Sequence, residues 1–159
     1  MQNNFFFSET KLSLFNVEND YMIFEISENL YAVKILSVKE IVSNREIFFV
    51  EDLPEFFSGF ANIRSTIFPV FDLKKTLSIK TPKLYGRQSV IIIFENTTDS
   101  LALLADSVLD IFNIPKESLK TSTVCKEKSC NFVDYEVDLN DRVVRVIDTE
   151  KILMLKHQM

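Results

Sequence analysis

Residues able to do covalent or acid–base chemistry are scarce in this sequence. His157 is the single histidine, third from the last residue. A Ser, Cys or Thr nucleophile would need that imidazole as its base, in a terminal segment of the kind that frays. Cys125 and Cys130 supply two thiolates, where a structural zinc takes four Cys or His, so they read as free loop thiols of a reducing compartment. The two glycines, Gly59 and Gly86, cannot build a Gly-rich loop that cradles phosphate. Asp72 and Asp106 are the carboxylates that would have to act as a pair. Each has a simpler role as a cap or turn residue, and no spacing signal joins them. The sequon Asn96-Thr97-Thr98 has a use only in a secreted chain. The expectation is a protein without catalytic residues, bound metal or cofactor.

What stands out instead is an arginine. In GFANIRSTIFPVFDLKK (59–75), Arg64 interrupts a stretch that otherwise reads as a buried strand. With 60–72 extended, Ala61, Ile63, Ile67 and Phe71 fall on one face and Asn62, Arg64 and Thr66 on the other. Pro69 has no N–H to give a ladder, which places the strand at an edge or bends it. Asp72 is spaced to cap a short helix in LKKTLS. In ILSVKEIV (35–42), the same parity puts Val38 and Glu40 on the less buried face and Ile35 and Ile41 on the other. Glu40 has the charge to pair with Arg64. Arg64 reads either as a solvated edge arginine or as an interface anchor, a role in which arginine is enriched.

The elements around these residues are short strands. Residues 1–19 form a polar lead-in. YMIFEI (21–26) and LYAVKI (30–35) flank a hairpin connection at Ser27-Glu28-Asn29; REIFFV (45–50) is a further strand, followed by a helical patch at 54–57. SVIIIF (89–94) lacks alternation, as strands buried on both faces do. Asn96–Asp99 turns it into SLALLADSVLDIF (100–112), and a polar loop occupies 116–131. VDYEVDL (133–139) and RVVRVID (142–148) make a second hairpin about Asn140-Asp141, and TEKILMLKHQ closes as a short helix. Many close-spaced strands predict an all-β barrel architecture. The polar linker 78–88 splits it into two small barrels, one mainly 30–80 and the other mainly 88–148.

Composition narrows the function. A chain of 159 residues with 47% hydrophobic and 26% charged residues is an ordinary globular protein. Its net charge of -5 opposes binding to nucleic acid or to an anionic membrane surface. No run approaches the roughly 20 apolar residues of a membrane-spanning helix, and no basic segment precedes the N-terminal FFF as in a signal peptide. A cytoplasmic location is expected. With two glycines in the chain, turns that need φ > 0 are expected to fall mostly on Asn or Asp.

Three groups of residues follow one another in a telling order. Tyr31-Ala32-Val33 leads to Val38-Lys39-Glu40-Ile41. Leu53-Pro54 leads to Gly59-Phe60-Ala61-Asn62-Ile63-Arg64 and then Pro69-Val70-Phe71-Asp72-Leu73. Asp106-Ser107-Val108 is followed by Ile147-Asp148-Thr149-Glu150-Lys151-Ile152-Leu153. In this arrangement the chain resembles the CheW-like coupling (adaptor) proteins of bacterial chemotaxis over residues 20–156.

The resemblance implies two SH3-like, five-stranded β-barrels side by side with short helices, and no enzymatic activity. It implies an adaptor that couples the regulatory domain of a chemotaxis histidine kinase to the cytoplasmic helical tips of chemoreceptors, in arrays at the membrane but without insertion into it. Arg64 matches the family's functional arginine, Glu40 its nearby glutamate and Asn62 its turn-forming asparagine. Val38, Val90 and Ile111 match apolar positions of receptor or kinase contact. Ser65 departs from the usual glycine, and where that position needs φ > 0 serine strains the turn. The alternative reading is a β-barrel module that binds proteins or peptides outside chemotaxis.

Overall fold

The computed structural model of the chain describes residues 17–77, 79, 85–123 and 132–159. Its strands are β1 (Asp20–Ile26), β2 (Asn29–Lys34), β3 (Val38–Ser43), β4 (Ile47–Phe48), β5 (Phe57–Ile63), β6 (Thr66–Phe71), β7 (Val90–Glu95), β8 (Ser100–Ala105), β9 (Ser107–Asn113), β10 (Lys120–Thr121), β11 (Val133–Leu139) and β12 (Arg142–Ile147). Two short α-helices, α1 (Leu73–Thr76) and α2 (Thr149–Leu155), and single 3-10 turns at Val17–Asn19, Ile35–Ser37, Lys116–Ser118 and Lys156–Gln158 complete the described elements. The lead-in as far as residue 16, linker residues 78 and 80–84, and loop residues 124–131 with Cys125 and Cys130 lie outside the description.

The strands form two six-stranded sheets, ordered β10-β11-β12-β2-β1-β9 and β3-β7-β8-β6-β5-β4. β4 and β10 have 2 residues each and sit at edges. What remains in each sheet is five longer strands, the expected all-β pair of five-stranded units. Strand pairing does not divide at the 78–88 linker, however. The first sheet takes β1 and β2 from one end of the chain and β9–β12 from the other; the second takes everything between. Parallel contacts, Leu30 opposite Val144 and Val70 opposite Ala102, join distant segments.

Three apolar clusters follow from this pairing. Tyr21, Ile23, Ala32 and Val144 fill the first unit, and Ala61, Val70, Ile91 and Leu104 fill the second. Between the units lies a seam of Met22, Phe24, Val33, Ile92, Phe94 and Leu103, covered by Ile152 and Leu153 of α2. β7 serves both: Ile91 and Ile93 point into the second unit, Ile92 and Phe94 into the seam. A strand with two dry faces needs an apolar residue at every position, which is why SVIIIF shows no alternation. Each such side chain contributes roughly 1.5–3 kcal/mol by leaving water.

Four local expectations are corrected. REIFFV contracts to the two residues of β4. The 54–57 patch is a turn, closed by Phe57 N–H donating to the Pro54 carbonyl at 2.9 Å, and not a helix. Residues 60–72 are two strands, because the chain reverses at Arg64-Ser65. The reversal resets the alternation, leaving Ile67 exposed while Phe68 and Val70 are buried. Pro69 is not on an edge strand, since β6 lies between β5 and β8; the ladder to β8 starts one residue later, at Val70.

Among the described non-glycine residues, positive φ occurs at Ser27, Glu28, Asp52, Arg64, Ser65, Asn140 and Asp141, so Asn and Asp do not dominate as expected. Six of these seven residues are the paired centres of two-residue hairpin loops. The right-handed twist of the flanking strands demands φ > 0 at both centres of such a loop. Loop length overrules side-chain preference. Among the described residues, no helix is long and apolar enough to cross a membrane.

Candidate partner-binding site

Arg64 (φ 50) and Ser65 (φ 65) are the two loop residues of the β5–β6 hairpin. Neither is glycine, and L-residues in this region cost about 1–2 kcal/mol each. The flanking ladder, with six paired positions from Phe57 opposite Phe71 to Ile63 opposite Thr66, holds the loop in place. The strain sits at the residue the sequence singled out. Arg64 is 80% exposed, and its Nη2 lies 2.8 Å from Oε1 of Glu40, which is 25% exposed. A partly buried carboxylate thus pairs with a guanidinium that stays open to solvent.

Glu40 reaches that position through a bulge. Val38 stands opposite Phe94 and Glu40 opposite Ile93, so Lys39 is extra in the β3–β7 ladder. A bulge breaks the two-residue side-chain period. Val38 and Glu40 therefore do not share a face, contrary to the parity expectation. Ile35, Val38 and Ile41 all pack on the seam, whereas Val42 packs into the second unit. Val90 also packs on the seam, at the other end of β7 from Val38's partner. Ile111 on β9 is half-buried opposite Met22, itself a seam residue. Asn62 is an exposed ladder residue opposite Ile67, not a member of the turn. The six candidates thus fall into a polar set on the second sheet (Glu40, Asn62 and Arg64), two apolar residues on the seam (Val38 and Val90), and Ile111 apart on β9 of the first sheet. Only Glu40 and Arg64 are joined by an ion pair.

The profile of the CheW-like domain matches residues 20–156. This chain belongs to the CheW-like family. Curated relatives of this CheW-like chain include chemotaxis protein CheW of Klebsiella aerogenes, 23% identical over 91% of this chain and 87% of that one. CheW of Thermotoga maritima is 25% identical over 86% and 88%. Among solved structures, the scaffolding protein TtCheW of Thermoanaerobacter tengcongensis superposes with a TM-score of 0.75 at 27% identity, covering 84% of this chain and 86% of that one.

The CheW-like chain also contains a buried polar cluster that sequence reasoning missed. Asp72 caps α1 as expected, accepting from the Lys74 N–H at 2.9 Å. It also accepts from Tyr85 Oη at 2.8 Å and Ser58 Oγ at 3.1 Å. Lys74 Nζ lies 3.7 Å from the centre of the Tyr85 ring and donates to Asp106 Oδ1 at 2.7 Å. The other oxygen of Asp106 accepts from the Ser27 N–H at 2.6 Å. Asp72 and Asp106 are therefore brought together, around one lysine and as a tie between the sheets. Burial, then the Asp72 and Asp106 carboxylates, push the Tyr85 hydroxyl well above its usual pKa. The cap at Asp72 was the available signal; nothing local marks Lys74 or Tyr85.

Proposed function

We propose that this CheW-like chain is a non-enzymatic adaptor of a chemotaxis signalling array, coupling the regulatory domain of a histidine kinase to the cytoplasmic helical tip of a chemoreceptor. Array membership places it in the cytoplasm beside the membrane. The observation that carries the reading is the Arg64 guanidinium, strained into the open and steadied by Glu40. A charged group displayed this way suits recognition of another protein, with a few anchors setting affinity more than contact area does. Val38 and Val90 on the seam and Ile111 on β9 would add apolar contact, and Asn62 a polar one. The relatives support the reading by name: chemotaxis proteins and a scaffolding protein.

Co-sedimentation with a cognate kinase fragment and receptor fragment tests it. The chain is expected to pellet only when both are present, with kinase and receptor in the same pellet. A chain that stays in the supernatant with every fragment pairing would overturn the proposal and favour a binding module outside chemotaxis.

A further inference from the structure

The apolar face of the second sheet continues past the seam into solvent. On β6, Phe71 belongs to the seam, and Pro69 and Ile67 follow on the same face at two-residue steps. Pro69 stands opposite Phe60, and Phe60 opposite Phe48 of β4, which makes one cross-strand apolar row. Beyond it Ile67 is 67% exposed, and on the β4 side Phe48, Phe49 and Val50 are 54%, 76% and 43% exposed. This edge is firmly placed. Gly59 (φ 134) lies so close to β4 that a Cβ there would come within 2.2 Å of the Phe48 carbonyl oxygen. Only glycine lets the two strands approach. Around the apolar group stand Glu46, Glu51, Asp52 and Glu55, all exposed, against a single base, Arg45.

We propose that residues 46–55 form a docking edge for an extended protein segment that carries apolar side chains interleaved with Lys or Arg. Among the described residues β4 ends its sheet, and an outer strand edge offers backbone groups for strand addition. The aromatic pair supplies the apolar anchor of the kind that dominates binding sites. Four carboxylates select the sign of the partner and repel an acidic one. The proposal does not rest on the Arg64–Glu40 ion pair: its apolar anchors and carboxylates belong to residues 46–55.

The probe is a synthetic peptide of alternating valine and lysine, compared with its valine–glutamate counterpart, titrated into the isotopically labelled full chain. Lysine peptide is expected to shift amide signals of residues 46–52 and to bind more weakly as salt rises; glutamate peptide is expected to leave them unmoved. Phe49→Ser, and separately Glu46→Lys with Glu51→Lys, should each weaken binding by about fivefold or more, with the thermal midpoint unchanged because these side chains are exposed. Equal binding of both peptides, shifts confined to other surfaces, or full affinity in Phe49→Ser would each overturn the proposal. So would self-association of the chain that Phe49→Ser abolishes, since the occupant would then be a second copy.

Discussion

Glu40 and Arg64 make a 2.8 Å ion pair although β3 and β6 are three strands apart in their sheet. In a flat sheet that separation is about 14 Å, from a spacing of about 4.8 Å per strand. The pair closes because the sheet curls into a barrel and brings its two sides together. A contact between positions 24 residues apart thus reports the closure of the fold, and it positions the group on which the functional proposal rests.

Arg64→Ala should separate function from folding. The side chain is mostly solvated, and exposed pairs are worth roughly 0–1 kcal/mol. The denaturation midpoint should barely move while co-sedimentation with kinase and receptor fragments falls sharply. A variant that unfolds would make Arg64 structural.

Charge exchange tests the pairing itself. Glu40→Arg and Arg64→Glu should each impair assembly, and the double variant should recover part of it. A double-mutant cycle on stability should give a coupling of roughly 0.2–1 kcal/mol. Strict additivity would show that the two groups do not interact in solution.

Ser65→Gly should stabilise the protein. Ser65 has φ 65, which a Cβ makes costly by about 1–2 kcal/mol. Part of that gain is offset by the freer unfolded chain, leaving roughly 0.5–1 kcal/mol. Urea midpoints of the two proteins would measure it, and a lowered midpoint would contradict a strained loop.

Lys74→Met should be the most damaging of these changes. Lys74 is 4% exposed and its partner Asp106 19%. Removing one member strands a buried charge, at a cost of roughly 3–5 kcal/mol. Adding Asp106→Asn should recover a large share, because the leftover carboxylate is then gone. Equal losses in the single and double variants would argue against the ion pair as the cause.

Alkaline pH should unfold the protein through Tyr85. Its folded pKa is raised above 10.0, first by burial and then by Asp72 and Asp106. A raised folded pKa gives stability that is whole below pH 10 and is lost as pH climbs above it. Absorbance of tyrosinate should therefore rise for Tyr85 only together with loss of structure, and Tyr85→Phe should blunt that alkaline transition. Early ionisation of Tyr85 in the folded chain would refute the burial argument.

The sequence by itself determined the strand-rich class, both clear hairpins, the cap at Asp72 and the doubly buried character of SVIIIF. These depend on local alternation, turn residues and capping, which neighbouring residues dictate. It also carried enough of the motif order to suggest the family and to single out Arg64. Only the tertiary structure decided which strands pair, since the first sheet draws on both ends of the chain. It alone placed Val38 on the seam with Ile35 and Ile41, because a single extra residue at Lys39 breaks the parity that would have put Val38 on the face of Glu40. It alone joined Lys74, Tyr85 and Asp106, whose contacts cross long stretches of sequence. Such contacts arise from curling and packing of sheets, and these have no local signature along the chain.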